Sequence, residues 1–286
     1  DRARDVGGLT QAQDILPTLA DWCGLDRGGQ PLDGISLDGV LRDGKQVPED
    51  RTICINFSRM PHFDYPTPAS QARMRKAGAA VLWRRWRLLE GTALYDLDHD
   101  PGQETNVIDQ HPDVAARLRD ALDRWWAEVE PTANTPQHLI VGDPAEHPSQ
   151  LTACEWWDVF IDQQFQARIG VHKNGYWHLE VARAGRYRFT LRRWPAEAGL
   201  ALTAACNATA ITDGTYAPGV ALPIASARLV VGGVDRWQDL GPEDQAATFE
   251  VDLDAGRTLL HTWFNDARRQ PLTGAYFVEV ERLAEP

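Results

Sequence analysis

The chain is 286 residues long, 43% of them hydrophobic and 11 of them tryptophan, a composition that excludes a disordered polymer and allows one large or two ordinary domains. Its net charge of −12 divides evenly between the two halves of the chain, which excludes a general nucleic-acid surface because such a surface needs concentrated positive charge. No apolar run approaches the roughly 20 residues that a membrane-spanning helix needs. We therefore expect a folded protein whose partners include neither nucleic acid nor a membrane.

The chain begins with Asp1-Arg2-Ala3-Arg4-Asp5, which contains neither an initiator Met nor the apolar region of a signal peptide. We expect this start to be an interior position of a longer protein, so the missing signal says nothing about compartment.

The first helix is predicted from Asp14 to Cys23. Apolar residues recur there at helical spacing, Pro17 falls in the first turn, and Gly24 suits the position after a helix end. The loop that follows is rich in Gly, Pro and Asp, with one short helical turn around residues 40–41.

Four short strands and a second helix are predicted next. The strands are residues 51–57, 79–83, 86–89 and 93–97, and the helix runs from Pro112 to Val129, where Pro131 ends it. We expect the strands to pair into a small antiparallel sheet that packs against this helix.

The stretch from Pro131 to Ser149 contains four prolines and few apolar residues, which predicts a domain linker. Beyond it, apolar residues alternate with polar ones, and strands are predicted at residues 176–181, 187–191, 227–231, 248–253, 259–264 and 275–280. Strands without intervening helices favour an antiparallel sandwich. The predicted organisation is a first domain over residues 1–130, a linker over 131–149 and a β-sandwich over 150–286.

The four cysteines are Cys23, Cys54, Cys154 and Cys206. They are widely spaced and include no Cys-x-x-Cys pair, so no metal-binding rhythm is present. We expect buried free thiols, with a disulfide between two of them as the alternative.

Three blocks of the first domain are similar, in order and spacing, to blocks of the sulfatases. Asp14-Ile15-Leu16-Pro17-Thr18-Leu19 with Gly24 resembles the family's D-x-x-P-T-L helix, and Asp33-Gly34-Ile35-Ser36-Leu37 resembles its D-G-x-S-L loop. Trp86-Arg87-Leu88-Leu89, then Leu94-Tyr95-Asp96-Leu97 with Asp100-Pro101 and Asn106, resembles W-K-L-I followed by L-Y-D-L-x-x-D-P-x-E-x-x-N. Arg87 and Gln103 are mild departures. We interpret the side chains that carry this resemblance as structural scaffold.

The resemblance covers about residues 10–130 and identifies them as the C-terminal portion of a sulfatase catalytic domain, in the alkaline-phosphatase-like superfamily. It implies an α+β fold, with a small four-stranded antiparallel sheet and packed helices as the sulfatase C-terminal subdomain. The strands beyond residue 150 look like the all-β antiparallel sandwich that some bacterial sulfatases carry as an appendage.

The same resemblance implies a parent enzyme that hydrolyses aryl or carbohydrate sulfate esters. In sulfatases a formylglycine made from Cys or Ser in a C/S-x-P-x-R motif supplies the nucleophile, and Ca²⁺ helps to stabilise the transferring sulfuryl group. It also implies a periplasmic or extracellular location and a sulfated small molecule or glycan as the parent's substrate.

The catalytic motif is missing from this sequence. No cysteine has Pro two positions later, and Ser70-Gln71-Ala72-Arg73-Met74 lacks the final Arg. We therefore expect no catalytic residue and no metal ligand in this chain, with the Ca²⁺ ligands elsewhere in the parent enzyme and no turnover by the chain alone.

One loop combines a cation, an imidazole, a carboxylate and an aromatic ring. Its residues Arg59, His62, Asp64 and Tyr65 are candidates for substrate binding, because binding groups concentrate in such loops. The alternative is a solvated connecting loop. The basic residues between Arg73 and Arg87 form a second candidate, which either attracts an anionic sulfated glycan or is a solvated face.

Five tryptophans of the sandwich are candidates for stacking on sugar rings: Trp156, Trp157, Trp194, Trp237 and Trp263. The alternative is packing in the core or between domains, since Trp is largely buried on average. The segment Gly175-Tyr176-Trp177-His178-Leu179 is similar to the sulfatase active-site segment G-K-W-H-L-G, but it falls after the C-terminal block rather than before it. We interpret it as a sandwich strand.

Two functions remain open from the sequence. The first is the C-terminal part of a sulfatase. The second is a non-catalytic glycan-binding or interdomain-packing β-sandwich whose resemblance to sulfatases is only architectural.

Overall fold

The computed structural model describes residues 5–284 except 27, 30, 58–73, 158 and 160. The chain divides into two compact units, and the boundary between them follows Asn134. Among the described residues, no helix combines the length and the apolar character needed to cross a bilayer.

Among its described residues, the first unit contains a four-stranded antiparallel sheet and three α-helices. Its elements are α1 (Ile15–Cys23), α2 (Asp38–Asp43), β1 (Thr52–Asn56), β2 (Ala79–Trp83), β3 (Trp86–Leu89), β4 (Ala93–Asp96) and α3 (Pro112–Ala133). The strands pair in chain order, β1-β2-β3-β4. The predicted strands and helices are confirmed, with bounds that differ by a few residues.

The core of this unit lies between the sheet and α3. Val81, Leu88 and Leu94 from the sheet meet Leu118 and Leu122 from the helix, and all five are buried. The helix continues to Ala133, so the prediction that Pro131 ends it is wrong. Pro131 lies so near the helix end that its missing N–H removes one hydrogen bond and only two residues follow it.

The second unit contains twelve strands and one short helix among its described residues. They are β5 (Leu139–Val141), β6 (Ser149–Thr152), α4 (Gln164–Arg168), β7 (Tyr176–Val181), β8 (Gly185–Arg192), β9 (Thr209–Ile211), β10 (Gly214–Tyr216), β11 (Ser226–Val231), β12 (Val234–Asp239), β13 (Ala247–Leu253), β14 (Gly256–Asn265), β15 (Pro271–Thr273) and β16 (Phe277–Arg282).

Two sheets of this unit pack into a β-sandwich. One has the order β12-β11-β14-β7-β5, with β15 also beside β14, and the other has the order β13-β8-β16-β6, while β9 and β10 form a separate hairpin. Trp177, Leu229 and Phe264 from the first sheet and Phe189 and Val278 from the second are fully buried in one shared core. The predicted sandwich is confirmed.

Six strands of this unit were not predicted, namely β5, β6, β9, β10, β12 and β15. Leu139–Val141 lies in the predicted linker but pairs with β7 as the edge strand of a sheet. That pairing is parallel, so the sandwich is not wholly antiparallel. The three residues of β5 are too few to show a period-two pattern. The prolines around them therefore led to the prediction of a linker.

Candidate functional site

The predicted substrate-binding residues Arg59, His62, Asp64 and Tyr65 lie outside the described residues, so their role stays a prediction. The basic run after them is partly described. Three of its members form ion pairs: Lys76 with Asp123 at 2.6 Å, Arg85 with Asp96 at 3.2 Å, and Arg84 with Glu49. Because local carboxylates compensate these charges, the geometry favours the solvated face over a surface that attracts anions.

The first sulfatase-like block is tied to the second through Asp14. Its Oδ1 accepts the Ile35 N–H at 2.9 Å and lies 2.6 Å from Arg51 Nη2, and its Oδ2 accepts the Gln11 N–H at 2.9 Å. Burial opposes ionisation of this carboxyl, but these hydrogen bonds outweigh it and hold the pKa of Asp14 below its usual value. Asp14 therefore fixes the D-G-x-S-L loop and does not face a substrate.

Thr18 and Gly34 complete this connection. The Thr18 hydroxyl donates to the Asp14 carbonyl at 2.6 Å and accepts the Leu37 N–H at 2.9 Å. A side chain on Gly34 would overlap the carbonyl oxygen of Gln13, so glycine is required for the loop to lie against the helix. The residues that define the first two blocks are thus positioned as scaffold.

The third block is closed by its own hydrogen bonds. Asn106 Oδ1 accepts the N–H groups of Leu94 at 2.9 Å and Ile108 at 3.1 Å, while Asp100 Oδ2 accepts the Thr105 N–H at 2.9 Å. These contacts explain why Asp and Asn suit those positions, since their short side chains satisfy turn amides. They place no group on an open site.

The outer face of the β12-β11-β14-β7-β5 sheet is the stronger candidate site. Alternate residues of a strand point to opposite faces, and the residues between the core positions of β7, β11 and β14 point away from the core. We define the outer face by Trp157, Tyr176, His178, Arg228, Asp235, Trp237, His261 and Trp263; of these, Tyr176 is only 5% exposed and is not itself available for contact with a ligand.

Arg228 lies at the centre of the outer face, between two tryptophans. It is directly opposite Trp237 on β12 and Trp263 on β14. Its guanidinium carbon is 5.4 Å from the Trp237 ring centre and 4.7 Å from that of Trp263. These are cation–π distances, so a charged side chain and two indoles form one row across three strands.

A bidentate ion pair holds Arg228 in place. Its Nε and Nη2 donate to the two oxygens of Asp235 at 2.9 and 2.7 Å. The hydrogen bonds lower the pKa of Asp235 and raise that of Arg228, so both stay charged at neutral pH. The row therefore has a fixed, charged centre.

Histidines extend the row towards β7. The His261 ring lies on Trp263 with centroids 3.8 Å apart, and the Tyr176 ring is 6.1 Å from His261 and 5.4 Å from His178. Burial, with a smaller contribution from the Arg228 charge, lowers the pKa of His261 to about 4. Burial and then the charge of His138 lower the pKa of His178, so both imidazoles are neutral at physiological pH.

The five candidate tryptophans separate into two groups. Trp237 is 38% exposed, and Trp157 and Trp263 are partly exposed on the outer face. Trp156 and Trp194 are only 3% and 6% exposed, so the prediction that they stack on sugars is wrong. Trp156 packs on Trp177 with ring centres 5.6 Å apart.

Sequence alone gave no means of separating Trp156 from Trp157. An extended backbone sends adjacent side chains to opposite sides, and here Trp156 points into the core while Trp157 lies 5.3 Å from the His178 ring. The interpretation of Gly175 to Leu179 as a sandwich strand is confirmed from Tyr176 onwards, with Trp177 in the core.

All four cysteines are free thiols. The expectation that they are buried is wrong for Cys23 and Cys154, which are exposed. Burial raises the pKa of Cys54 to about 11, which leaves that thiol protonated and unreactive. Among the described residues, no group of three His, Cys, Asp or Glu side chains is placed to hold a metal ion.

A scan against protein-family profiles finds no match for this chain. Among solved structures, a ruminal GH26 endo-beta-1,4-mannanase is similar at 13% identity and a TM-score of 0.26, over 49% of this chain and 27% of its own length. The CBM35 from Cellvibrio japonicus Abf62 has 16% identity and a TM-score of 0.24, over 40% of this chain and 66% of its own. A family 35 carbohydrate binding module from Clostridium thermocellum has 12% identity and a TM-score of 0.22, over 46% of this chain and 91% of its own length. Similarities this weak carry no argument, so the proposals below rest on the geometry of the chain itself.

Proposed function

We propose that the second unit is a non-catalytic, glycan-binding β-sandwich whose binding surface is the outer face. The observation that carries this proposal is the row formed by Trp237, Arg228 and Trp263. The ring of an indole has a negative face that attracts the slightly positive C–H groups of a sugar ring. Contact with the flat indole ring also removes those C–H groups from water, and the rigid side chain loses little conformational entropy.

The charged centre of the row supports the same function. Sugar hydroxyls both donate and accept hydrogen bonds, so a guanidinium and a carboxylate held at 2.7 to 2.9 Å from each other present complementary partners. The row crosses three neighbouring strands, a span of about 10 Å given the ~4.8 Å spacing of strands. A span of this length suits an oligosaccharide laid along the sheet.

Titration with oligosaccharides tests this proposal. Cellohexaose and a chondroitin sulfate hexasaccharide serve as neutral and sulfated probes, and calorimetry measures their dissociation constants. We expect Trp237→Ala and Trp263→Ala each to weaken the bound probe at least tenfold, about 1.4 kcal/mol. Trp22→Ala, which removes an exposed indole from the first unit, is the matched control. Equal affinity in all four proteins would overturn the proposal.

A second function is favoured by a specific feature of the first unit. Ile15, Leu16, Leu19 and Trp22 of α1 are between 42% and 59% exposed and recur at helical spacing, so the helix has an apolar face open to solvent. Contiguous apolar surface of this kind marks an interface. We infer that this face packs against a larger domain of the same protein.

With the sulfatase-like blocks, this face supports a parent enzyme that hydrolyses aryl or carbohydrate sulfate esters in the periplasm or outside the cell. The described residues do not form a metal site, so Ca²⁺ and the formylglycine nucleophile would belong to other residues of the parent. No catalytic step is assigned to this chain.

Reading the gene upstream of Asp1 tests the parent enzyme. The inference requires a C/S-x-P-x-R motif and a pair of adjacent aspartates some distance before Asp14. A gene that encodes neither would sink the sulfatase assignment and leave the glycan-binding proposal standing.

A further inference from the structure

A cavity of about 350 Å³ lies in the second unit, away from the outer face. It opens where β6 and β8 end and β16 begins, which is one end of the β13-β8-β16-β6 sheet. Helix α4 and the loop of residues 194–200 form its walls. None of the residues that define the outer face lines it.

The lining of this cavity is mainly apolar. Trp194, Tyr276 and Phe277 contribute rings, and Ile161 and Ala153 contribute aliphatic surface. The Tyr276 hydroxyl donates to the Val171 carbonyl at 3.1 Å, so this ring adds a satisfied polar group and an apolar face. A cavity of this composition gains most from an apolar occupant.

The charges around the cavity disfavour an anion. Arg168 is the only cationic side chain among its described lining residues, and its guanidinium donates to the carbonyls of Asn207 and Ala217 at 3.0 and 2.9 Å and to the Thr209 hydroxyl at 2.9 Å. Asp162 adds negative charge to the lining. A sulfate ester would therefore find no available cation there.

One polar group of the lining remains unsatisfied. Trp194 is 6% exposed, and its Nε1–H is buried without a hydrogen-bond partner. This atom is inaccessible to solvent although the cavity is open, so an occupant of the cavity does not reach it. The volume lies near the lower end of ligand pockets, about 300–1,000 Å³, which limits the occupant to one or two rings.

We propose that this cavity is a second binding site, which takes a neutral aromatic molecule of one or two rings. This site goes beyond glycan binding on the outer face, because its chemistry is apolar and its residues are different.

Protection of a thiol gives a direct test. Cys154 lines the cavity and is exposed, whereas Cys23 is also exposed but belongs to the first unit. Coumarin, a neutral two-ring lactone, is the probe, and mass spectrometry follows alkylation of each cysteine by iodoacetamide. At about ten times its dissociation constant, coumarin should slow the alkylation of Cys154 about tenfold by mass action. Cys23 should be unaffected.

A variant with a larger side chain in the cavity provides a second test. Ala198 lines the cavity, and Ala196 lies on the same exposed loop outside the lining. Ala198→Trp should abolish the protection by coumarin, and Ala196→Trp should keep it. Naphthalene, a neutral two-ring hydrocarbon of similar size, should also protect Cys154, because the lining is mainly apolar. Protection that survives Ala198→Trp, or that affects Cys23 as strongly as Cys154, would overturn the proposal.

Discussion

Asp14 and Arg51 form a buried ion pair in the first unit, with Oδ1 and Nη2 2.6 Å apart and side chains only 1% and 8% exposed. Arg51 also donates to the Leu9 carbonyl at 2.9 Å, and Asp14 also accepts the Ile35 N–H, so the pair joins the segments around residues 9–14, 35 and 51. This single pair explains why Asp opens the first sulfatase-like block.

Asp14→Asn tests how much that pair stabilises the first unit. The change leaves the Arg51 guanidinium buried without its counter-charge, which costs about 3–5 kcal/mol. We expect urea unfolding of the first unit to show a loss of this size. Asp38→Asn, which breaks the exposed Asp38–Arg42 pair, should cost no more than about 0.5 kcal/mol. Equal losses in the two variants would show that the buried pair is not a structural link.

Gly34→Ala tests the contact between the second block and the turn that precedes α1. The added methyl group would overlap the Gln13 carbonyl oxygen, so we expect a loss of about 2 kcal/mol or more in the free energy of unfolding. Gly102→Ala is the control, because a methyl group there meets its nearest neighbour at 3.5 Å. Thermal unfolding followed by circular dichroism compares the two. A stable Gly34→Ala protein would contradict the close approach.

The histidines of the outer face predict how stability depends on pH. Burial lowers the folded-state pKa of His261 from 6.5 to about 4, so the unfolded chain binds more protons between these values. The free energy of unfolding of the second unit should therefore fall as the pH decreases from about 6.5 to about 4, by at most ~3 kcal/mol from this residue.

Chemical unfolding at pH 7.5 and pH 4.5 measures this dependence. His261→Asn should remove much of the loss between the two values. An unchanged loss in His261→Asn would mean that His261 is protonated in the folded protein.

The chain alone should not hydrolyse an aryl sulfate. Its sequence lacks the C/S-x-P-x-R nucleophile motif, and its described residues include no cluster that could hold a metal ion. Incubation with 4-nitrophenyl sulfate and Ca²⁺, followed by absorbance, checks this expectation. Measurable turnover that survives purification would refute it and would require a catalytic mechanism other than the formylglycine one.

Much of the fold was predictable because its signals are local. The alternation in β13, where buried and exposed residues alternate through all seven positions, predicts a strand with one face in a core. The strands β5, β6 and β15 were missed because they have only three or four residues each. The edge strand β12 and the hairpin of β9 and β10 were missed because none of their residues is buried, so no alternating pattern marks them.

The outer face was harder to predict because it depends on pairing between distant segments. Trp237 and Trp263 approach each other only because β11 lies between their strands and places Arg228 opposite both. Around Trp263, both faces of the strand carry apolar residues. The alternation of polar and apolar residues therefore could not show which face was buried. The sequence marked five tryptophans as candidates, but it offered no reason to separate the partly exposed Trp157, Trp237 and Trp263 from the buried Trp156 and Trp194.

The most direct test of glycan binding on the outer face is a nitrogen–proton correlation spectrum of the indole N–H groups during a titration with oligosaccharide. Each of the 11 tryptophans has one such signal, and single Trp→Phe variants assign the relevant ones. We predict that the signals of Trp237 and Trp263 shift progressively with the probe, while those of Trp156 and Trp22 stay in place. Shifts confined to Trp22, or no shift in Trp237 and Trp263 with a probe that calorimetry shows to bind, would contradict the assignment of the outer face as the glycan-binding surface.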